Sequence, residues 1–204
     1  MTLPIELKKR FRVIDDTRIE SWLEQFDLSS ITRRVDEYYD TAEGDYHKKG
    51  VSIRLCNSKT LEIKFNQNSP STNPAHCHEY RFAVPFARDQ MSAFNALTDV
   101  LGLKCPTPFS FSYFLGNNRL KSLAVLDRIR KIYKTPSLII TVDTLSELGT
   151  FIEFEAKKTP SPYPAADFAI EVNLLTADAP LVPIDSEYVE LALYKPLAKQ
   201  TNLD

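Results

Sequence analysis

The sequence contains few glycines, and their positions exclude two common ways of binding phosphate. Its 204 residues include only five glycines, at positions 44, 50, 102, 116 and 149. That spacing matches neither GxGxxG, the loop that binds dinucleotides, nor GxxxxGK[ST], the loop that binds nucleoside triphosphates. A protein with this sequence that binds phosphate groups must therefore bind them with side chains.

Cysteine is also scarce, and its spacing excludes the usual zinc and redox motifs. Cys56, Cys77 and Cys105 form no CxxC pair, which excludes a zinc ribbon and a thioredoxin-type site. The cluster His76-Cys77-His78 resembles a metal site, but adjacent residues of an extended chain point to opposite faces, so we expect no metal there. Three unpaired thiols are typical of a reducing compartment, and we expect a cytoplasmic protein.

Long apolar runs and an excess of positive charge are missing as well. No stretch approaches the roughly 20 apolar residues of a membrane helix, so we expect no membrane partner. The 25 basic and 27 acidic residues give a net charge of −2, which argues against nucleic acid as a partner. Apolar residues make up 43% of the chain, as in an ordinary globular protein, and the length predicts one domain over residues 1–204.

Alternation of apolar and polar residues predicts many strands. The alternating segments are 4–14, 31–40, 51–56, 60–65, 78–84, 123–133, 137–145 and 150–156, with 109–115 as a weaker candidate. Helical spacing predicts helices over 88–101, 165–176 and 186–194, and a capping box at 17–20 begins another. The sequence therefore predicts an α+β domain of antiparallel strands, with C-terminal helices over about 165–196.

Charged residues occupy one face of nearly every predicted strand. That face carries Glu6, Lys8, Arg10, Arg54, Glu62, Lys64, Glu79, Arg81, Arg128, Arg130, Asp143, Glu153 and Glu155. One interpretation is a solvated outer face, which antiparallel sheets commonly have. The other is the interior of a closed barrel, because the opposite face is aromatic and helices can cover it. Arginine and lysine would then suit a polyphosphate, and the carboxylates would suit Mg²⁺ or Mn²⁺.

Six segments contain short motifs in a fixed order along the chain. They are 5–11, similar to an ExExK strand; 36–41, similar to DxY[YF]DT; 50–54, similar to GxxLR; 61–64, a strand ending in lysine; 128–133, similar to KxRxxY; and 142–155, similar to a D…LGxFxExE segment. Together these segments resemble the CYTH family, the triphosphate tunnel metalloenzymes. The family includes class IV adenylyl cyclases, thiamine triphosphatases and inorganic triphosphatases. The resemblance implies a closed eight-stranded antiparallel β-barrel, with helices covering the outside, whose tunnel binds a triphosphate.

The resemblance also implies roles for individual residues. Glu6, Glu153 and Glu155 would be catalytic and would bind Mg²⁺ or Mn²⁺. Asp143 would help bind the metal or would hold a cation in place. The implied phosphate-binding residues are Lys8, Arg10, Arg54, Lys64, Arg81, Arg128 and Arg130. Two positions depart from the family pattern: Lys8 stands where a second carboxylate is usual, and Cys56 where a second arginine is usual.

The function expected from these residues is metal-dependent hydrolysis of a small-molecule triphosphate. Inorganic triphosphate, thiamine triphosphate and nucleoside triphosphates all remain candidates. One alternative is a class IV-type adenylyl cyclase, which makes cyclic AMP and pyrophosphate. Another is a protein that binds polyphosphate or nucleotide without turnover, because Lys8 removes a metal ligand, and a third is a barrel with a purely structural role. A homodimer is compatible with the sequence, and the aromatic residues of 109–114 are expected at an edge or dimer contact.

Overall fold

The structure is a computed structural model that describes residues 7–66, 77–106, 108–157 and 164–193. The strands are β1 (Lys8–Val13), β2 (Asp27–Asp40), β3 (Val51–Cys56), β4 (Thr60–Asn66), β5 (Cys77–Ala83), β6 (Lys121–Lys134), β7 (Leu138–Leu145), β8 (Gly149–Ala156) and β9 (Leu181–Ile184). The helices are α1 (Asp16–Leu23), α2 (Met91–Leu101), α3 (Phe111–Asn117), α4 (Ala165–Thr176) and α5 (Tyr188–Leu193). In these ranges no helix has the length and apolar character needed to cross a membrane.

The strands form one antiparallel sheet in the order β5-β4-β3-β2-β6-β7-β8-β1-β9. This confirms the predicted α+β class with a large antiparallel sheet. The sheet has nine strands in the described residues, one more than predicted, because the short strand β9 pairs with β1. Within the same residues the hydrogen-bonded order ends at β5 and at β9, so closure into a barrel stays a prediction.

The pairing register brings opposite charges together on one face of the sheet. Arg10 on β1 is opposite Glu153 on β8, and Lys8 is opposite Glu155. On other strand pairs, Arg54 is opposite Glu62 and Arg130 is opposite Asp143. Directly opposed charges of different sign stabilise the pairing, and they show that the predicted polar faces form one continuous face.

Two apolar clusters cover the other face of the sheet. Around Phe94 of α2 and Phe114 of α3, one cluster covers β3, β4 and β5. The second places Ile19 of α1 and Val172 of α4 on β1, β7 and β8. Four helices of the described residues, α1 to α4, therefore lie on the apolar face of the sheet, and all but α3 were predicted as helices.

Helix α5 differs, because it packs on the charged face. Tyr188 is buried with Tyr38, Leu126, Leu145 and Phe151. These strand residues alternate with the apolar residues of the outer clusters, so they point to the charged side. The expectation that the helices cover only the outside is therefore wrong for α5.

The segment 109–115 is the clearest error among the predicted elements. It contains helix α3 rather than a strand, and the Ser110 side chain caps the helix by accepting a hydrogen bond from the Tyr113 amide. Phe114 is fully buried, so it belongs to the core and not to an exposed edge or dimer contact. Similarly, Asp15 caps α1 in place of the predicted Thr17.

Replacing Phe154 with alanine is expected to lower the free energy of unfolding by about 3–5 kcal/mol. Phe154 is 0% exposed and packs edge-on against Phe11 and Trp22, so its loss leaves a cavity in the cluster under α1 and α4. Urea denaturation followed by circular dichroism measures the change. Ile129→Ala, at a side chain that is 51% exposed, is the control and should change stability by less than about 0.5 kcal/mol. A loss below about 1 kcal/mol for Phe154→Ala would contradict this packing.

Candidate functional site

One cavity opens on the charged face of the sheet. Its lining residues are Lys8, Arg10, Arg34, Tyr38, Arg54, Lys64, Glu79, Arg81, Arg128, Arg130, Glu153, Glu155, Glu187 and Tyr188. Eight of these side chains are cationic and four are carboxylates. They come from β1, β2, β3, β4, β5, β6 and β8 and from the start of α5. The sheet therefore curves enough to bring β1 and β5, which are far apart in strand order, to the same cavity.

The structure brings most of the predicted site residues together. All seven predicted phosphate-binding residues line the cavity, as do Glu153 and Glu155. Asp143 lies behind them, fully buried, and Glu6 lies outside the described residues. The geometry thus groups these side chains, while their roles stay predictions.

Two buried aspartates fix the arginines of β6. Asp36, which is 0% exposed, accepts a hydrogen bond of 2.5 Å from Nη2 of Arg128 and one of 2.8 Å from Nε of Arg34. Burial works against its ionisation, but the charges of Arg128, Arg54 and Arg34 outweigh it and lower the pKa of Asp36. Asp143 accepts two hydrogen bonds from Arg130, of 2.7 and 2.6 Å. Both guanidinium groups are therefore oriented before any ligand binds.

Glu62 orients Arg54 in the same way. Nε of Arg54 donates to Glu62 at 2.7 Å, and one of its terminal nitrogens donates to the Tyr38 hydroxyl at 3.1 Å. Arg34 also reaches Glu62, at 3.1 Å, and it donates to the Cys56 sulfur at 2.9 Å. Burial and the nearby charge of Asp36 raise the pKa of Cys56 to about 12, so its thiol stays neutral. The family's usual second arginine is missing at Cys56, yet Arg34 places a guanidinium beside that position.

At the β4–β5 side of the cavity, Glu79 pairs with two cations. It lies 2.9 Å from Lys64 and accepts a hydrogen bond of 2.8 Å from Arg81. Burial opposes its ionisation, but the charge of Lys64 and the hydrogen bonds from both cations lower the pKa of Glu79 from 4.5 to about 2. This carboxylate is therefore held ionised.

The Glu79 contacts predict a loss of stability in acid. A carboxyl whose pKa is lower in the folded state stabilises the fold above its unfolded pKa, 4.5, and this contribution disappears as the pH falls towards about 2. Urea denaturation at pH 6 and at pH 3 is expected to show that Glu79→Gln removes about 1–2 kcal/mol of this pH dependence. Glu24→Gln, at the exposed end of α1, is the control. An unchanged pH dependence in Glu79→Gln would refute this account of the ion pairs.

Glu153 and Glu187 both accept hydrogen bonds from Arg10. Nε and Nη2 of Arg10 donate to Glu153 at 3.0 and 2.8 Å, and Nη2 also donates to Glu187 at 3.1 Å. Lys8 lies 3.7 Å from Glu187. The segment that begins α5 is therefore tied to β1 by charge, across the cavity's positive lining.

The CYTH domain model matches residues 3–176. The chain belongs to the CYTH domain family. The match ends before α5, so this family model does not cover Glu187 or Tyr188. No curated protein matches the chain.

Solved structures share the fold at low sequence identity. A candidate adenylate cyclase from Vibrio parahaemolyticus is 16% identical, with a TM-score of 0.59, covering 94% of this chain and 99% of its own. A candidate adenylyl cyclase from Hippeastrum with a dominant triphosphatase activity is 16% identical, with a TM-score of 0.61, covering 92% and 94%. A chain of the Schizosaccharomyces pombe Mediator head module is 12% identical, with a TM-score of 0.50, covering 88% and 99%. At these identities the likeness establishes the fold alone.

In this CYTH protein, Glu153 and Glu155 are the residues that fit a divalent metal. They lie two residues apart on β8, so both side chains face the cavity. Carboxylate oxygens are the ligands that Mg²⁺ prefers. The described ranges contain no group of three or more His, Cys, Asp or Glu side chains suited to hold a metal. Mg²⁺ is usually bound by one or two carboxylates together with substrate phosphates, and this pair suits that arrangement. Glu153 accepts both hydrogen bonds from Arg10 on one oxygen, whereas Asp143 uses both of its oxygens on Arg130.

Several residues of the CYTH cavity were not predicted as site residues. Arg34 and Tyr38 lie two residues before and after the buried Asp36 on β2, so all three share a face, and this spacing was a signal the sequence contained. Glu187 and Tyr188 had no such signal, because the pattern of 186–194 predicts an ordinary amphipathic helix. Only the packing of α5 on the charged face brings them to the cavity.

Proposed function

We propose that this CYTH protein is a divalent-metal-dependent phosphohydrolase that acts on a small-molecule triphosphate bound in the charged cavity. The observation that carries the proposal is the lining itself, with eight cations from strands far apart in the sheet around one space. An inorganic, thiamine or nucleoside triphosphate presents many phosphate oxygens, and arginine pairs with such oxygens strongly and directionally. The proposal includes a single domain over residues 1–204, a sheet closed into a barrel around the ligand, and a cytoplasmic location.

Preorganisation by buried carboxylates supports catalysis rather than loose anion binding. Asp36 and Asp143 hold Arg128 and Arg130 in place from behind, so these guanidiniums need little rearrangement when charge develops on the transferred phosphoryl group. Lys8 and Arg10 contact Glu187 at the cavity surface, where a phosphate group can replace its carboxylate. The cations would thus bind and orient the substrate.

Glu153 and Glu155 would hold Mg²⁺ or Mn²⁺ at the cavity's β8 side. A divalent metal supplies charge that neutralises phosphate oxygens and favours attack by water. In this scheme Glu155 accepts the proton of the attacking water, and Arg10 keeps Glu153 oriented. Glu6 would be a further metal ligand, as the family resemblance implies.

Two other functions use the same cavity. An adenylyl cyclase would direct the ribose 3′-oxygen of ATP at the α-phosphate, and the fold neighbours from Vibrio parahaemolyticus and Hippeastrum favour keeping this candidate. A protein that binds triphosphate without turnover is favoured by Lys8, whose ammonium faces Glu187 where the family usually has a carboxylate.

A product-resolved end-point assay tests the proposal. Purified protein is incubated with inorganic triphosphate, thiamine triphosphate or ATP, each with Mg²⁺, Mn²⁺ or a chelator. We expect phosphate release that requires the metal. Cyclic AMP with pyrophosphate would favour the cyclase, whereas binding without any product would favour the non-enzymatic alternative.

Replacing Lys8 with glutamate is expected to raise the affinity for Mn²⁺. Lys8 is opposite Glu155 in the β1–β8 register, so the change adds a carboxylate and removes a repelling ammonium near the proposed metal. Titration calorimetry with Mn²⁺ measures the effect. Lys9→Glu is the matched control, since the Lys9 side chain lies on the opposite face and donates to Asn173. Equal affinities in Lys8→Glu and wild type would show that Lys8 does not limit metal binding.

A further inference from the structure

Helix α5 brings a buried hydroxyl to the cavity that forms no hydrogen bond. Tyr188 lines the cavity and is only 5% exposed. Across the described ranges, two buried side-chain nitrogen or oxygen atoms have no hydrogen-bond partner, namely the Tyr188 Oη and the Arg128 Nε. Both belong to residues that line this cavity, and the Arg128 guanidinium lies 5.6 Å from the centre of the Tyr188 ring.

Packing explains the ring of Tyr188 but not its hydroxyl. The ring lies 5.1 Å from Phe151, and the Arg10 guanidinium lies over it at 4.6 Å. Phenylalanine would make the same contacts. A buried tyrosine hydroxyl usually finds a partner, and an unsatisfied one costs stability. The hydroxyl therefore points to a partner that arrives with the ligand.

The two carboxylates whose charges act on Tyr188, those of Asp143 and Glu153, already accept hydrogen bonds from arginines. Asp143 accepts from Arg130 with both oxygens and Glu153 accepts from Arg10 with one, and neither carboxylate accepts a hydrogen bond from the Tyr188 hydroxyl. Burial, reinforced by the charges of Asp143 and Glu153, raises the pKa of Tyr188 and keeps the hydroxyl protonated. The group is thus available as a donor.

We infer that the Tyr188 hydroxyl donates a hydrogen bond to a non-bridging oxygen of the bound triphosphate, beside a second donor, Nε of Arg128. This inference rests on the proposed function. It makes α5 part of the ligand site, although α5 lies outside the segment that matches the CYTH domain model. The ligand class is a phosphate ester or anhydride, because the two donors match oxygens that carry negative charge.

The test compares Tyr188→Phe with wild type in two measurements. Calorimetry uses a methylene-bridged inorganic triphosphate, which cannot be hydrolysed, together with Mg²⁺. The affinity is expected to fall roughly tenfold to a hundredfold, the range for a hydrogen bond to a charged group. Thermal denaturation without ligand is expected to give an equal or higher melting temperature, since the unsatisfied hydroxyl is gone. A role in stability alone would lower the melting temperature and leave the affinity unchanged.

Tyr39→Phe is the matched control. Tyr39 is buried in the apolar cluster of the outer face, away from the cavity, so the loss of its hydroxyl should leave the affinity unchanged. An affinity in Tyr188→Phe equal to wild type would overturn the inference while leaving the proposed function intact. A wild-type protein that does not bind the analogue would overturn both.

Discussion

Glu155→Gln is expected to reduce turnover of the preferred triphosphate by at least about a hundredfold, the scale of losing one group that stabilises the transition state. The substitution keeps the size of the side chain but removes the charge proposed to bind the metal and the base proposed to accept a proton. The cations of the cavity stay in place, so affinity for the substrate should change much less than turnover.

The measurement is the steady-state rate of phosphate release at saturating Mg²⁺ or Mn²⁺. Glu24→Gln serves as the control, because it makes the same chemical change at an exposed position on the outer side. If Glu155→Gln kept full activity, the assignment of the metal and the base to β8 would be wrong.

Arg128→Ala is expected to produce two large effects at once. Arg128 is 3% exposed and its partner Asp36 is 0% exposed, so removing the guanidinium leaves a buried carboxylate with fewer partners. Breaking a buried pair in this way costs about 3–5 kcal/mol of stability. Affinity for inorganic triphosphate should also fall by about tenfold or more, because a charge-assisted donor is lost.

Arg33→Ala is the matched control for Arg128→Ala. Arg33 is on β2 and its partner Asp127 is on β6, the two strands that also carry Asp36 and Arg128. Arg33 and Asp127 lie on the outer face of these strands, where Arg33 is exposed. Its removal should cost far less stability than that of Arg128, because exposed ion pairs contribute little, and should leave triphosphate affinity unchanged. Urea denaturation and calorimetry give the two readouts. Equal losses for both variants would show that the charged face has no special role.

The alternation of charged and apolar residues predicted the charged face well. It places Arg10, Arg54 and Arg130 on the charged side of three strands that do not pair directly with one another. In the structure all three side chains line one cavity. This succeeds because the side-chain period of a strand is two, so the side of each residue follows from position alone.

Other parts of the fold could not be predicted in the same way. Segment 109–115 has an aromatic pattern typical of a strand, but the Ser110 cap and the burial of Phe114 make it a helix. Strand β9 is four residues long and includes Pro183, so it has no clear alternation. The position of α5 on the charged face depends on tertiary packing, and no local pattern specifies it.

The sequence also did not specify which carboxylates of the charged face pair with which cations. Asp143 was expected either to help bind the metal or to hold a cation in place, and both of its oxygens accept hydrogen bonds from Arg130, which fits the second role. Glu62 was on the polar face but not among the site residues, and it anchors Arg54. Which carboxylate orients which cation depends on register and burial, which follow from the assembled sheet.

The most direct test is a crystal structure of the protein with the methylene-bridged triphosphate and Mn²⁺, whose anomalous scattering locates the metal. The account predicts phosphate oxygens among Arg10, Arg54, Arg128 and Arg130, with the metal on Glu153 and Glu155. An analogue bound elsewhere on the protein, or a cavity that contains no analogue, would contradict it.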